Sequence, residues 1–306
     1  MQKILVFLLA IFLFQNCIAD QLIVEPEDGR APILSAIEKS KSTIDLVMYG
    51  FTDRTLLSAL IHAKNQGKNI TVLLEPHPYE SENENELAKQ VLENAKITLA
   101  TPNPIFQLTH QKTLIEDHTT AIIMTFNFTN STFTNERNFA LLINDPDEIH
   151  EIEKVFSADA SHQKISVQNP NLIWSPNNSR ERMTALIRSA KSSLEIYAQA
   201  ITDYDMIGEL AKAARNGIKV DIMTSDTLNN KNKNKYAYLE RAGVHLHFSK
   251  KYYVHAKVIV VDDKEALLGS TNLSKPSIED NRELSVITRD QQVIREIERT
   301  FSKDLE

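Results

Sequence analysis

"HAKVIVVDD" (His255–Asp263) places a histidine and a lysine at the head of an aliphatic run that ends in aspartates. In an extended strand, residues two apart project to the same face, so His255 and Lys257 point together. By the same alternation Asp262 points the other way and reads as a structural turn residue. A second stretch, "HQKTLIED" (His110–Asp117), repeats the arrangement with His110, Lys112 and Asp117. A lone strand histidine or lysine is ordinarily structural or solvated. The recurrence of both at one spacing sets that reading aside.

The repetition extends along the chain. The segment starting at Ala36, "AIEKSKSTIDLVMYGFTDRTLLSALIHAKNQG", matches "LIRSAKSSLEIYAQAITDYDMIGELAKAARNG", starting at Leu186. Lys41 aligns with Lys191 and Gly67 with Gly217, an offset of 150; His110 aligns with His255 and Asn127 with Asn272, an offset of 145. The first copy therefore has five more residues between these landmarks. This is an internal duplication. Each copy reads as helix, strand, helix, strand, loop and strand pair, with Gly67 as a helix stop. Alternating strands and helices predict an α/β fold of two tandem similar units, each a mixed sheet flanked by helices. The units pack as a pseudo-two-fold dimer around one composite site. The Pro- and Asn-rich stretch from Val167 to Ser179 marks the junction, giving units over 20–167 and 168–306.

The first residues differ from the rest. Lys3 precedes the apolar run Ile4–Phe14, and the small residue Ala19 precedes Asp20. This reads as a secretory leader over 1–19, placing the mature chain in a secreted or periplasmic location. The run is short for a membrane span. Cys17 is the only cysteine, so cleavage after Ala19 excludes disulfides, thiol nucleophiles and cysteine metal sites. The net charge of −7 provides no whole-chain attraction to nucleic acid or anionic membrane.

Downstream of each motif, "AIIMTFN" sets Thr125 and Asn127 on one face, and "ALLGSTN" does the same for Ser270 and Asn272. A hairpin brings them beside the His/Lys face. Each copy then offers an imidazole, an ammonium, a hydroxyl and an amide, a donor set suited to phosphoryl oxygens. No carboxylate or cysteine shares a metal-ligand spacing with the histidines.

These paired HxKxxxxD motifs, each followed by Thr/Ser-x-Asn, resemble the phospholipase D superfamily over nearly the whole mature chain. The resemblance implies phosphodiester cleavage through a phosphohistidine, with no metal or other cofactor. It implies catalytic roles for His110, His255, Lys112, Lys257, Asn127, Asn272 and Glu283. Thr125 and Ser270 are expected to contact substrate, and Asp117 and Asp262 to be structural. Two departures stand out. Met124 replaces the glycine that Gly269 supplies in the second copy, narrowing the space there. Glu283 in "DNREL" has Asn138 in "NERNF" as its counterpart, with Glu136 nearby. If Glu283 contacts His255, it keeps that ring protonated as general acid and leaves His110 as nucleophile.

The expected reaction is phospholipase D hydrolysis at a membrane surface by a monomer, releasing phosphatidate and a head-group alcohol. A secreted nuclease is the main alternative: Lys231, Lys233, Lys235, Lys250 and Lys251 interleave with Tyr236, Tyr238, Tyr252 and Tyr253. A phosphatidyl-transferring synthase and a non-catalytic lipid binder are further readings.

Overall fold

The computed structural model describes residues 20–78, 83–225 and 229–306. The expected leader at 1–19, with Cys17, lies outside them, as does the side chain of Lys231. In the first unit the elements run β1 (Gln21–Glu25), α1 (Ala31–Lys39), β2 (Thr43–Met48), α2 (Arg54–Asn65), β3 (Asn69–Leu74), α3 (Glu86–Asn94) and β4 (Thr98–Ala100). They continue with β5 (Thr113–Glu116), β6 (Thr120–Met124), β7 (Glu136–Ile143) and α4 (Pro146–Ala160). The second unit repeats the series with β8 (Leu172–Ser175), α5 (Ser179–Ser189), β9 (Ser193–Ala198), α6 (Tyr204–Arg215), β10 (Lys219–Ser225), α7 (Asn229–Arg241) and β11 (His245–Ser249). It closes with β12 (Tyr253–Val254), β13 (Lys257–Val261), β14 (Glu265–Gly269), α8 (Lys275–Glu279), β15 (Glu283–Thr288) and α9 (Gln291–Asp304).

The first sheet has the order β1-β7-β6-β5-β2-β3-β4, and the second the same order written in its own strands, β8-β15-β14-β13-β9-β10-β11. In each, the three strands joined through helices run parallel and the others antiparallel, so both sheets are mixed. The local signals agree with the elements they start. Asp53 accepts from the Leu56 N–H at the head of α2, and Asp203 accepts from Met206 N–H at the head of α6, both at 3.0 Å. Gly67 and Gly217 follow those helices with φ of +91° and +86°, a region open to glycine.

Three apolar cores result. One lies beneath α1, α2 and α3, a second beneath α5, α6 and α7. The third lies between the sheets and draws on both units: Val47, Phe139 and Leu141 meet Tyr197, Val258 and Val286, with the apolar faces of α4 and α9 packed in. The composite arrangement is thus held by a shared core. Some elements differ from the sequence reading. The junction stretch contains β8, because its Leu172-Ile173-Trp174 run is fully buried against β15. The lysine- and tyrosine-bearing stretch before the second motif enters α7, and the corresponding stretch of the first unit enters α3; the buried Leu239 and Leu92 anchor them.

Two buried arginines tie the units together. The Arg282 guanidinium, 2% exposed, makes a two-point ion pair with Asp159 on α4, at 2.7 and 2.9 Å. Its counterpart Arg137 pairs with Asp304 on α9, at 2.6 and 2.8 Å. Both bridges cross between units. Arg282→Met should lower stability by about 3–5 kcal/mol, because it leaves the Asp159 carboxylate buried without a partner. Adding Asp159→Leu should return most of that loss in urea denaturation.

Candidate active site

The strand leading to each motif histidine leaves its own unit. His110 and Gln111 donate their N–H groups to the Arg282 carbonyl, at 2.9 and 3.0 Å, and Arg282 N–H returns a bond to Leu108 O. In the mirror arrangement, His255 and Ala256 donate to the Arg137 carbonyl, at 3.1 and 3.0 Å, and β12 pairs with β7. Each histidine is therefore presented to the other unit's β7 or β15.

This exchange overturns the expected partner. Glu283 bonds His110, not His255: His110 Nδ1 lies 2.9 Å from Glu283 Oε2. His255 Nδ1 instead donates to Asn138 Oδ1 at 3.1 Å. Local spacing placed Glu283 in the same unit as His255, and only the crossing main chain reveals the swap. With each Nδ1 engaged by an acceptor, each Nε2 carries the ring lone pair, and at His255 Lys257 Nζ lies 3.5 Å from it. Glu283 is fully buried, and its other oxygen accepts from the Ser277 hydroxyl at the start of α8. Ser277 also receives the Asn272 N–H at 2.8 Å.

The lysines share the pocket. Lys112 Nζ reaches the His110 carbonyl and Lys257 Nζ the His255 carbonyl, both at 2.5 Å, and Lys257 also bonds Thr125 O across the units. Both are buried. The amides of Asn127 and Asn272 each keep a buried Oδ1 without a partner, so two orphaned polar groups remain in the motif turns. The structure also adds residues that spacing did not flag. Tyr49 lies edge-on to His110 at 4.6 Å, with Lys112 4.9 Å above its ring. Glu84 opposes the loss of charge on Lys112.

Several expectations change at this level. Thr125 and Ser270 were expected to contact substrate, but both are 0% exposed and tied to the neighbouring strand. Thr125 Oγ1 accepts from Phe139 N–H and donates to Asn138 Oδ1 at 2.8 Å; Ser270 Oγ accepts from Leu284 N–H. Met124 does not narrow the site, since its side chain packs in the core beneath α1 and α2. Gly269 has a strict reason to be glycine: a Cβ there would sit 2.3 Å from Leu284 O. Asp117 lies away from the histidines. Its carboxylate accepts the N–H groups of Lys41, Ser42 and Thr43, and Asp262 accepts those of Lys191, Ser192 and Ser193. Each aspartate stitches a hairpin turn to the start of β2 or β9. Among the described side chains, the lysines and tyrosines before the second motif do not form one stacking surface. Tyr236 is buried, Lys235 bonds Thr202 O, and Tyr252 lies beneath Arg137.

Electrostatics distinguishes the two rings. Burial lowers His110 to about 4, although Glu283 pulls upward. His255 is held well below its ordinary value by burial and then by Lys257, Lys112 and His110, opposed only by a hydrogen bond with the Thr125 main chain and by no carboxylate. Burial also lowers Lys112 to about 7. Glu283 resists the upward push of burial and stays below the usual carboxylate range because His110 and Lys112 face it. Among the described residues, no group of His, Cys, Asp and Glu is placed to hold a metal ion.

The family model described as "Cardiolipin synthase, PLD-like domain" matches residues 33–160 and 183–305, once in each unit. The chain belongs to the phospholipase D superfamily. It is an enzyme fold of phosphodiester chemistry, with both copies of the family domain present. Cardiolipin synthase 1 of Staphylococcus epidermidis is 29% identical over 135 residues, covering 40% of this chain and 26% of that protein. The match thus spans about a quarter of that relative's length. Among solved structures, the polyphosphate kinase of Porphyromonas gingivalis overlays with TM-score 0.73 at 18% identity, over 92% of this chain and 46% of that one. The phosphatidylserine synthase of Haemophilus influenzae gives TM-score 0.70 at 14% identity, over 94% and 86%. These two likenesses show a shared fold.

The depressed His110 makes a stability prediction. The unfolded chain binds a proton at this residue near pH 6.5, the folded chain only near 4. Acid between those values favours the unfolded chain, so this share of stability is present above 6.5 and lost as pH falls toward 4. The loss should approach ~3 kcal/mol. Denaturant titrations of wild type and His110→Gln across that window should differ in pH slope by this amount.

Proposed function

We propose that this phospholipase D superfamily member hydrolyses phospholipid head groups, releasing phosphatidate and an alcohol through a phosphohistidine on His110. The observation that carries the reading is the pair of imidazoles from two units, each with Nδ1 held by an acceptor and Nε2 left as the basic nitrogen, beside two buried lysines. In the first step His255, neutral at rest, has taken a proton from solvent on Nε2 as the phosphodiester binds; His110 Nε2 attacks phosphorus, the bond to the leaving oxygen breaks, and His255 gives that oxygen the proton. In the second step water attacks phosphorus, His255 takes its proton, and the phosphorus–nitrogen bond breaks.

Glu283 supports His110 as nucleophile for a reason that differs from resting protonation. Attack through Nε2 turns the ring into a cation that keeps its Nδ1–H. Glu283, fully buried at 2.9 Å from that nitrogen, stabilises the charge as it develops. Asn138 is neutral and offers His255 no equal compensation. A protonated His255 is then the stronger acid, suited to the leaving alkoxide. Lys112 and Lys257 offset the phosphoryl charge without a metal ion.

A lipid substrate is supported by the family model and by a relative named for lipid synthesis. The dispersed lysines and tyrosines give less support to a single-strand track. An alcohol in place of water in the second step would give phosphatidyl transfer with the same residues. On this reading the mature chain acts as a monomer outside the cytoplasm, at a membrane surface. Among the described residues, no helix is long and apolar enough to cross a membrane.

The test offers purified protein vesicles of phosphatidylcholine, phosphatidylethanolamine or phosphatidylglycerol, with and without glycerol, and single-stranded DNA in parallel. Phosphatidate should appear from vesicles; cleavage of DNA alone would refute the lipid reading. His110→Ala and His255→Ala should each lose roughly a thousandfold or more on natural substrate. With a nitrophenyl phosphodiester, whose leaving group needs no proton, His255→Ala should still form an adduct, located on His110 by mass spectrometry. An adduct on His255 in His110→Ala would reverse the assignment.

A further inference from the structure

The two strands that partner the histidines carry the same residues in opposite order. The first unit has Glu136-Arg137-Asn138, and the second has Asn281-Arg282-Glu283. Each arginine makes the buried bridge already described. The outer positions exchange a carboxylate and an amide. In the second unit the carboxylate meets His110 directly. In the first unit, Asn138 Oδ1 meets His255 at 3.1 Å, and Asn138 Nδ2 donates to Glu136 Oε2 at 3.0 Å. The hydroxyl support is conserved between units as well. Ser277 bonds Glu283, and its counterpart Thr132 lies 3.4 Å from Glu136 Oε2.

We infer that Glu136 is a positioning residue for His255: it orients the Asn138 amide and, through it, selects the ring nitrogen that carries the proton. An amide has a donor end and an acceptor end, so it can face His255 either way round. A carboxylate only accepts, so Glu136 fixes the donor end toward itself. The acceptor end then faces His255, which must donate from Nδ1 and keep Nε2 free. Thr125 also contacts Asn138 Oδ1, but a hydroxyl can donate or accept and selects no orientation alone. The inserted amide thus delivers to His255 the tautomer that Glu283 imposes on His110.

Other groups near the ring do not supply this function. Lys257 Nζ lies 3.4 and 3.5 Å from the two ring nitrogens of His255 and so favours neither; Lys112 and His110 act as cations, the Thr125 main chain gives the ring a weaker hydrogen bond, and Tyr253 lies beside it with ring centroids 6.4 Å apart. Glu25 is register-paired with Asn138 on β1. Burial, with Asp28 next, pushes its carboxyl up to about 8, so it keeps its proton near neutrality.

The inference rests on His255 acting as acid and base in the proposed reaction, but its central test needs no substrate. The full chain, labelled with ¹⁵N-histidine, is examined by NMR near pH 7, and His255 is assigned by the signals missing from His255→Ala. Wild type should show the Nδ1–H form at His110 and His255. In Glu136→Gln, whose amide can donate or accept, His255 should become a mixture of tautomers while His110 stays unchanged and reports an intact fold. Glu136→Ala should do the same. The exchange Glu136→Asn with Asn138→Glu writes the second unit's order into the first and should restore a single Nδ1–H form. With a nitrophenyl phosphodiester, kcat of Glu136→Gln should fall roughly tenfold at unchanged KM, and the exchange should recover it. Retention of pure Nδ1–H at His255 in Glu136→Gln and Glu136→Ala overturns the inference, whatever their rates. Absence of turnover by wild type on any phosphodiester would refute the functional reading and leave the tautomer result to decide this one.

Discussion

The main-chain carbonyls of Arg137 and Arg282 each receive two N–H groups from the opposite unit, and the site depends on that exchange. It carries His255 to Asn138 and His110 to Glu283. The side chains of the same arginines are buried against Asp304 and Asp159, so the residues that accept the crossing strands are also clamped across the units. A displaced clamp would move the histidine partner with it, because Arg282 lies next to Glu283 and Arg137 next to Asn138. Stability and geometry are coupled here through adjacent residues on one strand.

Around this frame the charges are arranged to keep both rings neutral at rest. Burial is the largest effect on His110, His255, Lys112 and Lys257, and it disfavours the charged form of each. The few carboxylates that oppose it are placed unequally. Glu283 faces His110 and Lys112, while Glu136 meets His255 only through an amide. An entering phosphodiester brings a negative charge into a site whose cations are costly without one. Binding should therefore favour the charged lysines at the moment they are needed.

Much of this was legible in the sequence because it depends on short-range periodicity. The strand alternation of "HAKVIVVDD", the duplicate motifs and the glycine helix stops are local patterns, and the tandem α/β architecture follows from them. Asp117 and Asp262 pointed away from the histidines for the same reason. What escaped depends on long-range register. Nothing near His110 reveals that its partner is Glu283, because the contact is made by strands from different units. Met124 ends a core strand and turns its side chain into the apolar layer, a direction that the neighbouring Thr-x-Asn turn does not reveal. Leu172-Ile173-Trp174 forms a strand through its long-range pairing with β15, which the surrounding prolines and asparagines obscure in the local pattern. The hydroxyls of Thr125 and Ser270 were assigned by parity alone, and parity does not show that a neighbouring strand already uses them.

The exchanged order of Glu136-Arg137-Asn138 and Asn281-Arg282-Glu283 also bears on why two copies share one chain. A homodimer made of one unit would be bound by its symmetry: whatever stands beside one histidine must stand beside the other. Both rings would then have a direct carboxylate, or both would have an amide. Covalent duplication lifts that obligation, since each copy can change alone. The fused chain can therefore specialise its two imidazoles without altering the main-chain scaffold that presents them.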